Sequence, residues 1–100
     1  MNLSEIKTID IQTKVWFDKM YGNSYFAQRI ILNYGLESEK EYINPFQYGY
    51  DSYEFEAFKF LRKNGIPLSK HVTNYDLKES GIIVRSNTQR NCLKRELKNI

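Results

Sequence analysis

One cysteine, one histidine, two prolines and five glycines are all that this 100-residue chain holds of the residues that most often mark a site or a sharp turn. A lone Cys92 forms no internal disulfide, so no disulfide scaffold can hold this fold. His71 is the sole histidine, which excludes a histidine-bearing metal cluster; no metal or cofactor is expected. The glycines stand singly, so there is no glycine-rich loop to cradle a phosphate. No apolar run comes near the roughly 20 residues needed to cross a bilayer. Met1 to Lys7 lacks the charged-then-apolar pattern of a secretory leader. These absences lead to the expectation of a single cytoplasmic domain spanning residues 1–100, with no membrane partner.

Catalytic groups are equally sparse. Cys92 and His71 would form a nucleophile and base only if the fold joined them, and nothing in the sequence orients the pair. The carboxylates at 37–41 and 54–56 have no apolar surroundings to raise their pKa, and read as solvated surface. The expectation is a protein that is not an enzyme.

What the chain does have is aromatic side chains: eight Tyr, six Phe and one Trp. Such residues carry large buried areas in small cores, and they also dominate binding hot spots, in company with Arg. Charge is uneven as well. Residues 36–56 hold Glu37, Glu39, Glu41, Asp51, Glu54 and Glu56 against Lys40, and residues 84–100 hold Arg85, Arg90, Lys94, Arg95 and Lys98 against Glu96. The overall +3 is thus the difference between an acidic middle and a basic end.

The pattern along the chain predicts an α+β domain. Residues 8–21 alternate, with Ile9, Ile11, Val15, Phe17 and Tyr21 on one face. Gly22-Asn23 then reads as a two-residue hairpin turn leading into a second strand over 24–34. That turn sets Val15 opposite Ile30, Phe17 opposite Gln28, and Trp16 opposite Arg29. A third strand over 42–50 contains Pro45, which confines it to an edge. Asp51 with Glu54 resembles a capping box that opens a helix over 52–63, stopped by Asn64-Gly65 and Pro67. On it Tyr53, Ala57, Phe60 and Leu61 share a face, Phe55 points away and Phe58 sits at the edge. Residues 69–80 look turn-like, with a short strand around 72–75. Residues 81–85 read as another strand, and 92–98 as a short terminal helix capped by Asn91. The predicted architecture is a small antiparallel sheet, the hairpin plus one to three further strands, packed on one main helix. Phe17, Phe26, Tyr53 and Phe60 are its expected aromatic core.

Three surfaces are candidates for binding. The first is the hairpin's second face, where Trp16, Arg29, Tyr25, Met20 and Lys14 would gather as a protein interface with Arg29 stacked on the indole. The competing reading covers that face with a helix or the terminal segment, making its aromatics ordinary core. The second is residues 45–53, where Phe46, Tyr48, Tyr50 and Tyr53 could form a stacking platform for bases, although the acidic charge there repels phosphate. The third is the basic end, Arg85, Arg90, Lys94, Arg95 and Lys98, as a nucleic-acid-binding surface.

Trp16-Phe17-Asp18-Lys19 followed by Gly22-Asn23-Ser24-Tyr25, then Pro45-Phe46-Gln47-Tyr48-Gly49-Tyr50 and an aromatic helix, resembles a group of small proteins encoded by bacteriophages and prophages. The resemblance covers roughly residues 13–65. Phe26 stands where the group commonly has a polar residue, and the basic end here is more spread out. The resemblance implies a mobile-element origin and no particular activity. The resulting expectation is a phage-type accessory protein that binds a macromolecule, with an anti-CRISPR-like inhibitor of a host defence nuclease complex as its concrete form. The alternatives are a nucleic-acid-binding module and a self-associating virion or assembly component.

Overall fold

The computed structural model describes residues 1–49 and 51–100. After a single 3-10 turn (Leu3–Glu5), the chain forms β1 (Thr8–Asp18) and β2 (Asn23–Leu32), an antiparallel hairpin, and then β3 (Lys40–Tyr48). Two helices follow, α1 (Tyr53–Lys63) and α2 (Asn74–Glu79), then β4 (Ile83–Gln89) and a short α3 (Lys94–Lys98). The sheet order is β3-β2-β1-β4. The α+β class is as predicted, but the sheet is mixed, because β4 runs parallel to β1. The route of the chain explains this. β3 ends beside the hairpin tip, and α1 carries the chain back along one face toward Ile9 and Leu32. After α2 the chain therefore enters β4 at the Thr8 end of β1, where Ile83 pairs with Thr8. A crossover of this length is what parallel neighbours require.

The hairpin is present but its register differs from the predicted one. Val15 lies opposite Phe26, Ile11 opposite Ile30, Thr13 opposite Gln28 and Trp16 opposite Tyr25. The connection is a four-residue loop, Lys19 to Gly22, in which the Gly22 amide donates to the Asp18 carbonyl (2.8 Å) at φ +69°. The Asp18 carboxylate also accepts from the Met20 amide at 3.0 Å, closing the turn locally. Partners are displaced by four residues along β2. Because that number is even, every side chain keeps its predicted face.

The face of β1 bearing Ile9, Ile11 and Val15 is the one that α1 covers. Ile9, Ile11, Ile30 and Leu32 pack against Ala57, Phe58 and Leu61, joined by Ile66, Leu68, Leu77 and Ile82. Phe58, expected at the edge, is buried, whereas Phe60 is half-buried. Phe17, expected in the core, is 47% exposed, because β1 runs on beyond the helix that covers its earlier residues. The N-terminus of α1 is not the predicted capping box. Ser52 occupies the N-cap in a left-handed conformation without a side-chain cap bond, and the Asp51 carboxylate accepts from the Ser52 amide. Its C-terminus is as expected: the Gly65 amide reaches the Arg62 carbonyl and the Ile66 amide the Leu61 carbonyl, with Gly65 at φ +92°. The turn-like stretch 69–80 holds no strand among its residues. Thr73 and Asp76 form a reciprocal capping box that starts α2, and Leu77 anchors it.

Inside this layer runs a chain of amides. The Gln28 side chain donates to the Tyr53 carbonyl (2.6 Å) and to Thr13 Oγ1 (3.2 Å), and accepts from Asn44 Nδ2 (2.8 Å). Gln47 in turn donates to Asn44 Oδ1 at 2.6 Å. β1, β2, β3 and α1 are thereby tied at one level.

Candidate functional site

The sheet's second face is divided into two halves. Near the hairpin tip it carries an aromatic cluster. Trp16 and Tyr25 stack with centroids 5.4 Å apart, and Tyr25 and Phe46 stack at 5.1 Å with planes 7° apart. Tyr48 meets Tyr25 edge-on at 5.9 Å. Phe46 reaches this face through an irregularity of β3: pairing is regular from Lys40 to Asn44, breaks around Pro45, and resumes at Gln47. One extra residue at the edge re-aims a side chain, as bulges do. Pro45, which has no amide hydrogen, sits on this edge strand as predicted.

The terminal segment lies over this cluster. Leu97 and Cys92 are buried against Ala27, with Trp16, Tyr25, Phe46 and Ile100 packed around them. The Cys92 amide donates to the Val15 carbonyl at 2.9 Å. Lys94 Nζ lies 5.4 Å from the Trp16 ring centroid and Lys98 Nζ 5.8 Å from that of Phe46. The cation over the indole is therefore Lys94. Arg29, predicted to stack there, lies opposite Gln12 instead and pairs with Glu41 at 3.0 Å. The register displacement accounts for this, since it moves Arg29 four residues along β1. Of the proposed interface residues, the structure brings Trp16, Tyr25 and Lys14 onto one half-face and places Met20 in the adjoining loop; Arg29 belongs to the other half.

At the hairpin tip the aromatic cluster opens into a groove of about 550 Å³ between the loop and residues 91–93. It is lined by Trp16, Phe17, Met20 and Leu93 with the charged side chains of Asp18 and Lys19. Met20 is 80% exposed, and Phe17, Tyr21 and Leu93 are exposed beside it. Sequence reasoning singled out Met20 but missed Phe17, Tyr21 and Leu93. For Phe17 and Tyr21 the alternation pointed inward, and a signal for exposure would have been the length of the strand compared with that of the helix covering it.

The five basic residues of the chain's end are dispersed in role. Arg85 makes a bidentate pair with Asp10, through Nε at 2.6 Å and Nη2 at 3.0 Å, and so spends its charge on β1. The Asp10 carboxylate raises the Arg85 pKa further. Arg90 lies 5.8 Å from the centroid of Tyr53. Burial raises the Tyr53 phenol pKa, and the Arg90 charge opposes that rise. Lys94, Arg95 and Lys98 form no ion pair among the described residues. The platform expected over 45–53 is dismembered: Phe46 joins the cluster, Tyr48 is exposed, Tyr53 is core, and Tyr50 lies outside the described residues.

The other half of the face is bare. Asp10, Gln12, Arg29, Ile31, Tyr34 and Arg85 surround a shallow concavity of about 280 Å³. Cys92 is buried beneath α3, whereas His71 is exposed in the connection between α1 and α2, whose neighbours Leu68 and Val72 pack on the opposite layer. The two do not form a nucleophile and base. No helix is long and apolar enough to cross a membrane among the described residues. The chain matches no protein-family model, no curated protein and no solved structure in the comparisons made.

Proposed function

We propose that this chain is a small accessory protein of the phage type, without catalytic activity, that acts by binding another protein through its hairpin end. The carrying observation is the groove beside Trp16, where Phe17, Met20, Tyr21 and Leu93 leave large apolar area in water around an aromatic floor. Apolar residues exposed together, with a half-buried Trp at the centre and charged Asp18 and Lys19 at the rim, have the make-up of an interface. A host defence nuclease complex is the proposed class of target, on the strength of the sequence resemblance.

The test is capture of partners from bacterial host lysate on the immobilised chain and on a Phe17→Ser/Met20→Ser variant, followed by a cleavage assay with any nuclease retained. The expected outcome is a partner that the variant retains at least about thirtyfold less well, the loss of about 2 kcal/mol that one hot spot carries. Equal retention by both proteins removes the hairpin end from the reading, and retention without any effect on cleavage removes the inhibitor role.

A second reading is supported by Lys94, Arg95 and Lys98, which form no ion pair among the described residues and stand on a helix lying beside aromatic rings. Cations beside stacking surfaces suit single-stranded nucleic acid. Titrating single-stranded oligonucleotide at increasing salt discriminates the two: binding that weakens steeply with salt, and less steeply once Arg95 and Lys98 are neutralised, favours this reading.

A further inference from the structure

We propose that the open edge of β4 pairs with the same edge of a second copy of this chain, antiparallel about a two-fold axis at Ser86, so that one sheet runs through both molecules. The sheet ends in two edge strands, β3 and β4. β3 is guarded by Pro45 and by the irregularity beside it, two devices that hinder pairing with another chain. β4 has neither. It pairs with β1 without a break from Ile83 to Gln89, it contains no proline, and its one charged side chain, Arg85, is held by Asp10. The Ile83 amide donates to the Lys7 carbonyl at 3.0 Å, which turns the Ile83 backbone toward β1. By the period of a strand Arg85, Asn87 and Gln89 turn theirs the same way, and Val84, Ser86 and Thr88 present amides and carbonyls to the open side. No hydrogen bond among the described residues reaches those outward groups.

The strand that fits this edge is β4 itself. An antiparallel pair joins outward residues to outward residues, and only an axis at Ser86 gives all three a partner: Ser86 meets its own counterpart and Val84 meets Thr88. On the opposite face of the sheet Arg85 then meets Asn87 and Ile83 meets Gln89, so no like charges stand directly opposed. Moving the axis one residue back sets Arg85 against Arg85 and leaves Thr88 without a partner. Hydroxyl beside hydroxyl at Ser86, and two β-branched side chains at Val84 and Thr88, are cross-strand neighbours that stabilise a ladder. The contact is isologous and closes at two copies, because the edges left over are both the guarded β3. β4 ends opposite Lys14, short of Phe17 and Met20, so this edge is independent of the hairpin end proposed above.

Sedimentation equilibrium over a wide concentration range tests the arrangement, with circular dichroism as the check on folding. The expected species has twice the chain mass. Ser86→Pro removes an outward amide and no bond to β1, a change that an edge strand tolerates. It is expected to weaken the dimer about thirtyfold, because one hydrogen bond is lost from each copy. Ser86→Lys sets two ammonium groups opposite each other and is expected to weaken it as well, less so at high salt. Ser86→Cys reads the register directly. Directly opposed Cα atoms lie about 5.5 Å apart, within reach of a disulfide, whereas residue 83 stands roughly 20 Å from its counterpart. Air oxidation is therefore expected to link Ser86→Cys into a covalent dimer and to leave Ile83→Cys unlinked. A monomer at every concentration overturns the proposal and leaves the edge to a foreign strand. So does a dimer that Ser86→Pro leaves intact, equal linking of the two cysteine variants, or a series of species growing beyond two.

Discussion

Gln28 is a polar side chain with no exposure, held between a helix and two strands. Its amide bonds the Tyr53 carbonyl, Thr13 and Asn44 together, so removing it deprives Thr13 and Asn44 of that partner and leaves a cavity. Gln28→Ala is expected to cost about 3 kcal/mol by urea unfolding, the sum of a cavity and unmet hydrogen bonds. Thr13→Val should cost only about 1 kcal/mol, since the Gln28 amide keeps its shorter bond to Tyr53. Equal losses would show that the hydroxyl, and not the helix carbonyl, holds the glutamine. Nearby, Glu54 is half-buried in the first turn of α1, and burial raises its pKa above the usual 4.5. A carboxyl whose folded pKa is raised stabilises the fold in its protonated form. That contribution is complete below the unfolded pKa and is lost as pH rises through the folded one. Glu54→Gln should therefore flatten the stability profile just above pH 4.5 and leave the protein slightly more stable at neutral pH; an unchanged profile would mean that the carboxylate is fully hydrated.

Among the elements, α3 is the one least able to stand alone. A five-residue helix is far below the length at which helices persist in water, so contact with the sheet must hold it. Leu97 supplies the buried anchor and Lys94 the cation over Trp16. Leu97→Ser should release the segment and expose the indole. Trp16 is the chain's one tryptophan, so the release reads directly as a red shift of its fluorescence, while amide protection in β1 and β2 persists. Joint loss of protection would mean that α3 and the sheet unfold as one unit. The element scale also shows what the sequence could and could not convey. Strand faces, the α1 stop signal, the edge position of Pro45 and a terminal helix were all legible, because each follows from local spacing or from the chemistry of one residue. The hairpin register was not: Gly22-Asn23 looks like a two-residue turn, yet Gly22 closes a longer loop. Cross-strand polarity held the missing clue, since the observed register sets Thr13 against Gln28 and Val15 against Phe26, polar with polar and apolar with apolar. The direction of β4 was out of reach for a different reason. It depends on where α1 and α2 deliver the chain, and no local pattern encodes that.

At the scale of the whole molecule, the candidate binding surface should be separable from the fold. Phe17 and Met20 make up little of the core, so Phe17→Ser/Met20→Ser is expected to change unfolding free energy by no more than about 0.5 kcal/mol each. A larger loss in chemical denaturation would return Phe17 to the core and deprive the hairpin end of its functional meaning. The interface residues named from sequence were half legible for the same reason that the faces were: Trp16 and Tyr25 share a face by parity, but parity says nothing of distance along the strand. Arg29 was consequently placed on the right side of the sheet and at the wrong end of it.

The parallel pairing of β4 with β1 has a consequence in time. β1 leaves the ribosome before the other strands, and β2 and β3 can join it as soon as they follow. Its other edge must wait until β4 emerges some seventy residues later, and the aromatic face until α3 follows. Until then the nascent chain carries an open strand edge and an uncovered cluster of rings. Both are hazards for a crowded polysome, and they close only once β4 and α3 have emerged.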